Sequence, residues 1–378
     1  MTKSTSVRKG YPGLSPTELP ALPDDPSVSV VITSYNYAPF ISGALDSVLS
    51  QDSRKLEVIV ADDGSTDATL ETVRKYASAD PRVRLITGEN VGQPRNTNRG
   101  FAASSGDIIC FLDADDEFAP HKISAVVQAF QSFPDCGLCL HRLRPIDEKG
   151  REVGPPFPKF IDSGWLCERL LASGGRCSFP ATSAISIRRP IAERVFPILS
   201  DSRRVGDAFI HYPAAFLTNV CSLPGPYSRY RYHDSNMTRC AKNPVDISLS
   251  MLVECEEIFR TNTSFVAREL GVQYAKEMRL ADSRLFVEDA LHYALLTGER
   301  RYKDLSAEYL LGLLPKGLRR TLWATLLNLP SPLASVAFNL RKTSKSLWRS
   351  IHGRLSELDR FRLLSTKENR AMNACQSE

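Results

Sequence analysis

The chain has 378 residues, 42% hydrophobic and 24% charged, with a net charge of +5. That length allows a sizeable core and more than one domain. The mild charge argues against a nucleic-acid binder, and the lack of any run of about eighteen apolar residues argues against a transmembrane helix.

Residues 1–27 are rich in Pro, Ser and charge and read as a loose arm. The first twenty, MTKSTSVRKGYPGLSPTELP, lack an apolar signal region, and the nine cysteines follow no framework of spacings. Both features point to a reducing cytoplasm with free thiols. Cys136-Gly-Leu-Cys139 lies in an apolar run and reads as ordinary strand sequence.

VSVVITSYN (Val28–Asn36) is a β-branched run ending in polar residues. APFISGALDSVLSQ then places apolar residues at helical spacing. LEVIVADDGSTD (Leu56–Asp67) is a second apolar run ending in acid, and the helix ATLETVRKYAS follows with Asp67 as its N-cap. RVRLIT is a third strand. PRNTNRGFAASSG is a helix with Pro94 in its first turn and Gly106 past its end. DIICFL is a fourth strand, and PHKISAVVQAFQ a helix opening at Pro120. This alternation predicts a Rossmann-like, mostly parallel sheet with helices on both faces. From about 150 to 240 Gly, Pro and short strands dominate, with a helix at GWLCERLLAS. From about 245 the chain reads as helical, with a hairpin around Gly298.

In parallel sheets ligands bind beyond the carboxyl ends of the strands. Three polar clusters fall there: Thr33-Ser34-Tyr35-Asn36, Asp62-Asp63-Gly64-Ser65, and Asp113-Ala114-Asp115-Asp116. Side chains two apart on a strand share a face, so Asp113 and Asp115 are expected to face one cation together. Hard divalent cations take carboxylates and substrate phosphates. The bland alternative is a polar loop capping the next helix. Asp62 or Asp63 suits a base or ribose, and equally an Asx turn using Gly64. Tyr35 suits stacking on a base. Gly92 before a helix start and Arg95 in its first turn suit phosphate; a loop with a surface Arg is the alternative.

VVITSYNYAPFISGALDSVLSQ, LEVIVADDGSTDATLE and NVGQPRNTNRGFAASSGDIICFLDADD resemble the family 2 nucleotide-sugar glycosyltransferases with the A-type fold. The likeness is close over residues 28–135 and weaker beyond. It implies a catalytic domain over 28–240, with a nucleotide-sugar half (28–135) and an acceptor half (136–240), followed by a helical region over 241–378. It also implies that Thr33, Tyr35 and Asn36 line the nucleotide pocket, and that Asp63, with Asp62 beside it, holds the base. Asp113 and Asp115 are implied as the D-x-D pair on Mg²⁺ or Mn²⁺, with Asp116 orienting donor sugar or metal water. RRVGDAFIHYPAAF resembles the family's Glu-Asp motif, with Gly206 in the first position; Asp207 is then the general base and Asp201 the fallback. YRYHDSNMTR resembles a Tyr-Arg-x-His-x-x-Asn pattern, which would put His233 on the metal or diphosphate and Arg231 on phosphate.

These roles make an inverting transfer from a nucleotide-sugar donor, a UDP-sugar first among candidates, to a saccharide or lipid-linked acceptor. Between Glu308 and Glu357 the chain has no acidic residue, and basic residues from Lys316 to Arg354 interleave with Trp and Leu. That stretch suits the cytoplasmic face of an anionic membrane, which would make the protein peripheral, or else a helical subdomain with a solvated basic face. The rival functions are a phosphohydrolase, which would want Thr or Val where Glu117 stands, and a non-catalytic binding protein.

Overall fold

The computed structural model describes residues 11–174, 177–204, 206–234, 236 and 244–280, and singly 286, 290, 293 and 297; the side chains of 244–248 are outside the description. The basic stretch 316–354 and the hairpin expected around Gly298 lie outside the described residues.

Strands β1 (Val28–Ser34), β2 (Leu56–Asp62), β3 (Val83–Thr87) and β4 (Ile108–Asp113) alternate with helices α1 (Ile41–Leu49), α2 (Thr69–Ala79) and α3 (Gln93–Ala102). The four strands are parallel, in the order β3-β2-β1-β4. Their near-continuous apolar runs are needed because both faces are covered. Val28, Val30 and Ile32 join Ile108, Cys110 and Leu112 in one core, while Val31, Ile109 and Phe111 enter the other. This is the two-residue alternation of a strand.

After β4 come β5 (Glu117–Phe118), α4 (Lys122–Ser132), β6 (Cys136–Ile146), α5 (Cys167–Ala172), a 3-10 turn (Thr182–Ala184), β7 (Ile185–Arg188), α6 (Arg189–Val195), α7 (Ala208–Leu217), β8 (Asn219–Arg231), α8 (Pro244–Glu269) and α9 (Val272–Ala275). The sheet has eight strands in the order β3-β2-β1-β4-β7-β6-β8-β5. β7 runs antiparallel to both β4 and β6, and β8 runs parallel to β6. Helices α1, α2 and α4 cover one face, and α5, α6 and α7 the other. Among the described residues no helix is long and apolar enough to cross a membrane.

Four details differ from the sequence reading. The strands of the second half are long: β6 has 11 residues and β8 has 13. The register along β8 jumps from Leu223 to Pro226, leaving Pro224 and Gly225 unpaired, so Pro224 sits in a bulge where no ladder N–H is needed. Gly106 does not end α3, whose C-cap is Ala103. Its role is close approach, since a Cβ there would lie 2.6 Å from the Ser29 nitrogen. Residues 11–27, expected to be loose, are pinned: Thr17 N donates to Leu217 O at 2.7 Å, and Arg194 Nη1 donates to Thr17 Oγ1 at 2.7 Å. The Asp67 carboxylate does receive the first free amide of α2, from Thr69 at 3.0 Å, but from one residue before the cap position.

Cys136 and Cys139 are buried in β6, and the described cysteines are free thiols. The chain divides into two compact units. One holds Met1–Cys240 and Glu257–Arg279, with the sheet and both cores. The other holds Ala241–Glu256 and Leu280–Glu378, where Leu252, Phe286 and Ala290 are buried together.

Candidate functional site: two acidic strand ends

The carboxyl ends of β1, β2 and β4 lie side by side, with Thr33 in register with both Ala61 and Asp113. At the end of β2, Asp62 is fully buried and builds its own turn. Its carboxylate accepts from Gly64 N at 3.1 Å, Ser65 N at 2.8 Å and Ser65 Oγ at 2.5 Å. Gly64 supplies the left-handed angle of that turn, φ 78°. Asp63 accepts from Val91 N and Gly92 N, each at 2.8 Å, and from Arg99 at 3.5 Å. Gly92, at φ 89°, passes close under the backbone of Arg203, where a Cβ would lie 2.7 Å from Arg203 Cα. Asn36, itself at φ 57°, receives Thr66 N on its side-chain oxygen at 2.8 Å and donates its own N–H to Ser65 Oγ at 2.8 Å. The first two polar loops are thus tied together, with the Tyr35 ring 45% exposed beside them.

The end of β4 is built differently. Asp113 is the last strand residue, and a turn closed by Asp116 N on Asp113 O (3.0 Å) follows it. Turn geometry rather than strand alternation therefore gathers the acids. Asp113 Oδ1 accepts from Thr33 Oγ1 at 3.2 Å and Gln93 Nε2 at 3.0 Å. Asp115 Oδ2 lies 2.9 Å from His233 Nε2 and accepts from Asn236 Nδ2 at 3.3 Å. Asp116 accepts from Arg231 N at 2.8 Å and Ser183 Oγ at 2.5 Å. Burial, then the charges of Asp115 and Asp207, push Asp113 up to about 7. Burial, then Asp115 and Asp113, hold Asp116 well above the usual carboxylate range. Burial and the same three acids raise the phenols of Tyr37 and Tyr230.

Asp207 caps α7, accepting Ala208 N at 2.7 Å. Gln93 spans the gap between this helix start and β4, because its amide oxygen accepts Gly206 N at 3.2 Å while its nitrogen holds Asp113. Gly206 has little room for a side chain: a Cβ would lie 3.2 Å from the Gln93 side chain. A local packing reason thus exists for glycine where the related pattern has an acid.

Two sequence-selected cations lie elsewhere. Arg95 pairs with Asp201 at 3.0 Å, with both side chains more than half exposed. Arg231 is buried and its guanidinium is taken up by the carbonyls of Asp115 (2.8 Å), Asp147 (3.2 Å) and Glu148 (3.1 Å) and by the Glu117 carboxylate. That fork shapes the loop after β4. Gln93, Thr182, Ser183 and Asn236 were given no role from sequence. Gln93 and Asn236 stand inside the quoted motifs; nothing local marks Thr182 or Ser183.

Among the described residues no three His, Cys, Asp or Glu side chains form a ready-made metal site. The residues nonetheless fit a divalent cation such as Mn²⁺: Asp113 and Asp115 could supply carboxylate oxygens and His233 an imidazole nitrogen. Burial and then neighbouring acid charges raise Asp113 and Asp116, and a cation nearby would ease that repulsion. Phosphate oxygens and water would complete the coordination.

The model for "Glycosyl transferase family 2" matches residues 29–196. An uncharacterized glycosyltransferase of Nostoc sp. is 36% identical over 214 residues, 55% of this chain and 66% of that protein. A GalNAc(5)-diNAcBac-PP-undecaprenol beta-1,3-glucosyltransferase of Campylobacter jejuni is 33% identical over 105 residues, 27% of this chain and 34% of its own. The matched part of the chain thus spans less than two thirds of the length of these relatives. The crystal structure of S. aureus TarS 1-349 superposes with a TM-score of 0.50 at 17% identity, covering 75% of this chain and 79% of that one, a likeness of fold.

Proposed function

The chain belongs to glycosyl transferase family 2 through residues 29–196, and on that premise we propose that it transfers a sugar from a nucleotide-sugar donor, a UDP-sugar by first choice, to a saccharide or lipid-linked saccharide, with inversion and with Mg²⁺ or Mn²⁺. The observation that carries this reading is the gathering of Asp113, Asp115 and Asp116 in one turn, with Gln93 linking Asp113 to the helix start that bears Asp207. The acceptor class is supported by the name of the Campylobacter relative.

Tyr35 and Asn36, on the tied loops of β1 and β2, border the nucleoside site, with Asp63 and Thr33 at its floor. Asp113, Asp115 and His233 are the ligands for the cation. When bound, that cation would offset charge on the departing nucleoside diphosphate. Asp207 takes the proton of the attacking hydroxyl, as a general base within reach of the reacting atoms must. It stands as the N-cap of α7, where a helix start favours negative charge. Tyr37 and Phe40 pack on the His233 ring, at 5.9 and 4.7 Å between centres, and so set its plane. Arg231 positions the acid turn from behind. Attachment to the cytoplasmic face of an anionic membrane through 316–354 belongs to the same reading of a lipid-linked acceptor.

A thermal-shift panel of nucleotide sugars with and without Mn²⁺, followed by nucleotide release with candidate acceptors, tests it. Ligands that bind only the folded form raise its melting temperature. A Mn²⁺-dependent shift with one nucleotide class is the expected result; no shift with any donor in either condition would sink the reading.

A further inference from the structure

The segment just before β7 reaches into the acid cluster from the acceptor half. β7 pairs antiparallel with β4, with Cys110 opposite Ser186. Extending that register by three residues brings Ser183 opposite Asp113. Ser183 is fully buried. Its hydroxyl accepts the Asp113 N–H at 3.1 Å and donates to Asp116 Oδ2 at 2.5 Å. A serine hydroxyl has one donor and two acceptor sites. Here one oxygen spans both ends of the Asp113–Asp116 turn, whose middle carries Asp115.

The Ser183 peptide is itself anchored from two further elements. Its carbonyl accepts Lys122 Nζ at 3.1 Å and Ser228 Oγ at 2.7 Å. Lys122 is fully buried, its ammonium 3.4 Å from the centre of the Phe118 ring. The Ser183 carbonyl is thus held from α4 and β8, while its hydroxyl joins the two ends of the acid turn. No other described hydroxyl is hydrogen-bonded to both ends of it.

We propose that Ser183 is a positioning residue for the divalent-cation site: its hydroxyl clamps Asp113 and Asp116 so that Asp115, between them, is presented to the metal and the diphosphate. This rests on the nucleotide-sugar reading above and adds to it a control residue from outside the nucleotide half. Partners that orient metal ligands from behind typically govern metal affinity by about 10–100-fold. A hydroxyl that only filled space would change folding stability and leave affinity alone.

The test measures Mn²⁺ binding, by the loss of the free-ion electron paramagnetic resonance signal, and Mn²⁺-dependent UDP binding by calorimetry. Wild type, Ser183→Ala and Ser228→Ala are compared well below their melting temperatures. Ser228→Ala removes a bond to the same residue without touching a carboxylate. Ser183→Ala is expected to weaken Mn²⁺ and Mn²⁺-dependent UDP binding by about 10–100-fold, and Ser228→Ala to leave both within about twofold of wild type. Unchanged affinity in Ser183→Ala, or an equal loss in Ser228→Ala, overturns the inference. If Ser183→Ala does not fold, Ser183→Cys, which keeps the side chain near its size and weakens both hydrogen bonds, takes its place: weakened Mn²⁺ binding supports the clamp, and unchanged binding overturns it. Wild type that binds neither Mn²⁺ nor UDP would overturn the functional reading as well, so the two failures are distinguishable.

Discussion

Both β2 and β4 end in paired acids, yet the two ends are held in opposite ways. Asp62 and Asp63 are enclosed by backbone amides: Gly64 and Ser65 on the first, Val91 and Gly92 on the second. Asp113, Asp115 and Asp116 are held mainly by side chains from other elements, and burial with mutual repulsion raises Asp113 and Asp116. Amide dipoles can offset a carboxylate without any ion; crowded, buried carboxylates are eased by protonation or by an added positive charge. The same sequence signal, an apolar run closing in Asp, therefore builds an amide-lined loop at one strand and a turn holding Asp113 and Asp116, both with raised proton affinity, at the other.

The contrast can be broken most sharply by exchanging losses between the two ends. Asp115→Ala is expected to lower transfer by about a thousandfold, the rate equivalent of several kcal/mol of charge stabilisation, while melting near wild type. Asp62→Ala should instead lower stability by about 1–3 kcal/mol in urea unfolding, because buried amides lose a charged acceptor. If Asp62→Ala melts like wild type, the loop-building account of β2 is wrong.

Asp207→Asn keeps the shape of the α7 start and removes the base. Its turnover number should fall by about 10²–10⁴-fold, with Mn²⁺-dependent UDP affinity retained. Turnover near wild type would detach Asp207 from the β4 site.

Lys122 sharpens the comparison in another direction, being a buried cation behind the acid turn. Burial pulls its ammonium from an ordinary 10.5 down to about 8. Between those values the unfolded chain holds the proton and the native chain has lost it, so this group makes stability rise with pH from about 8 to 10.5. The full effect is on the order of 3 kcal/mol. Lys122→Met should remove that rise from the pH profile of urea unfolding; an unchanged slope would show that the ammonium is hydrated rather than buried.

The smallest effect belongs to Arg95. Its pair with Asp201 is exposed on both sides, and such pairs contribute little. Arg95→Ala should leave nucleotide affinity within about twofold of wild type. A tenfold loss by calorimetry would return Arg95 to the phosphate.

The nucleotide half was readable because its rules are local. Apolar runs of strand length, helix-spaced intervals and polar punctuation are written within ten or so residues of one another. They located the four parallel strands and the acids at their ends. They did not foresee the pairing of Arg95 with Asp201, because residue type reports charge and not which neighbour claims it. In the second half, Pro224 and Pro226 masked a 13-residue strand, since a bulge hides the alternation that identifies strands.

The amino-acid order alone settled the alternating layout, the three polar strand ends and the family to which residues 29–196 belong, because periodicity and turn chemistry act over a few positions. Only the folded chain decided which acids are relieved by amides and which are raised by burial and one another's charge. Those partners arrive from far away: His233 meets Asp115 across 118 residues, and Ser183 meets Asp116 across 67. Electrostatic balance depends on distance in space, and that distance exists only once the sheet has brought its halves together.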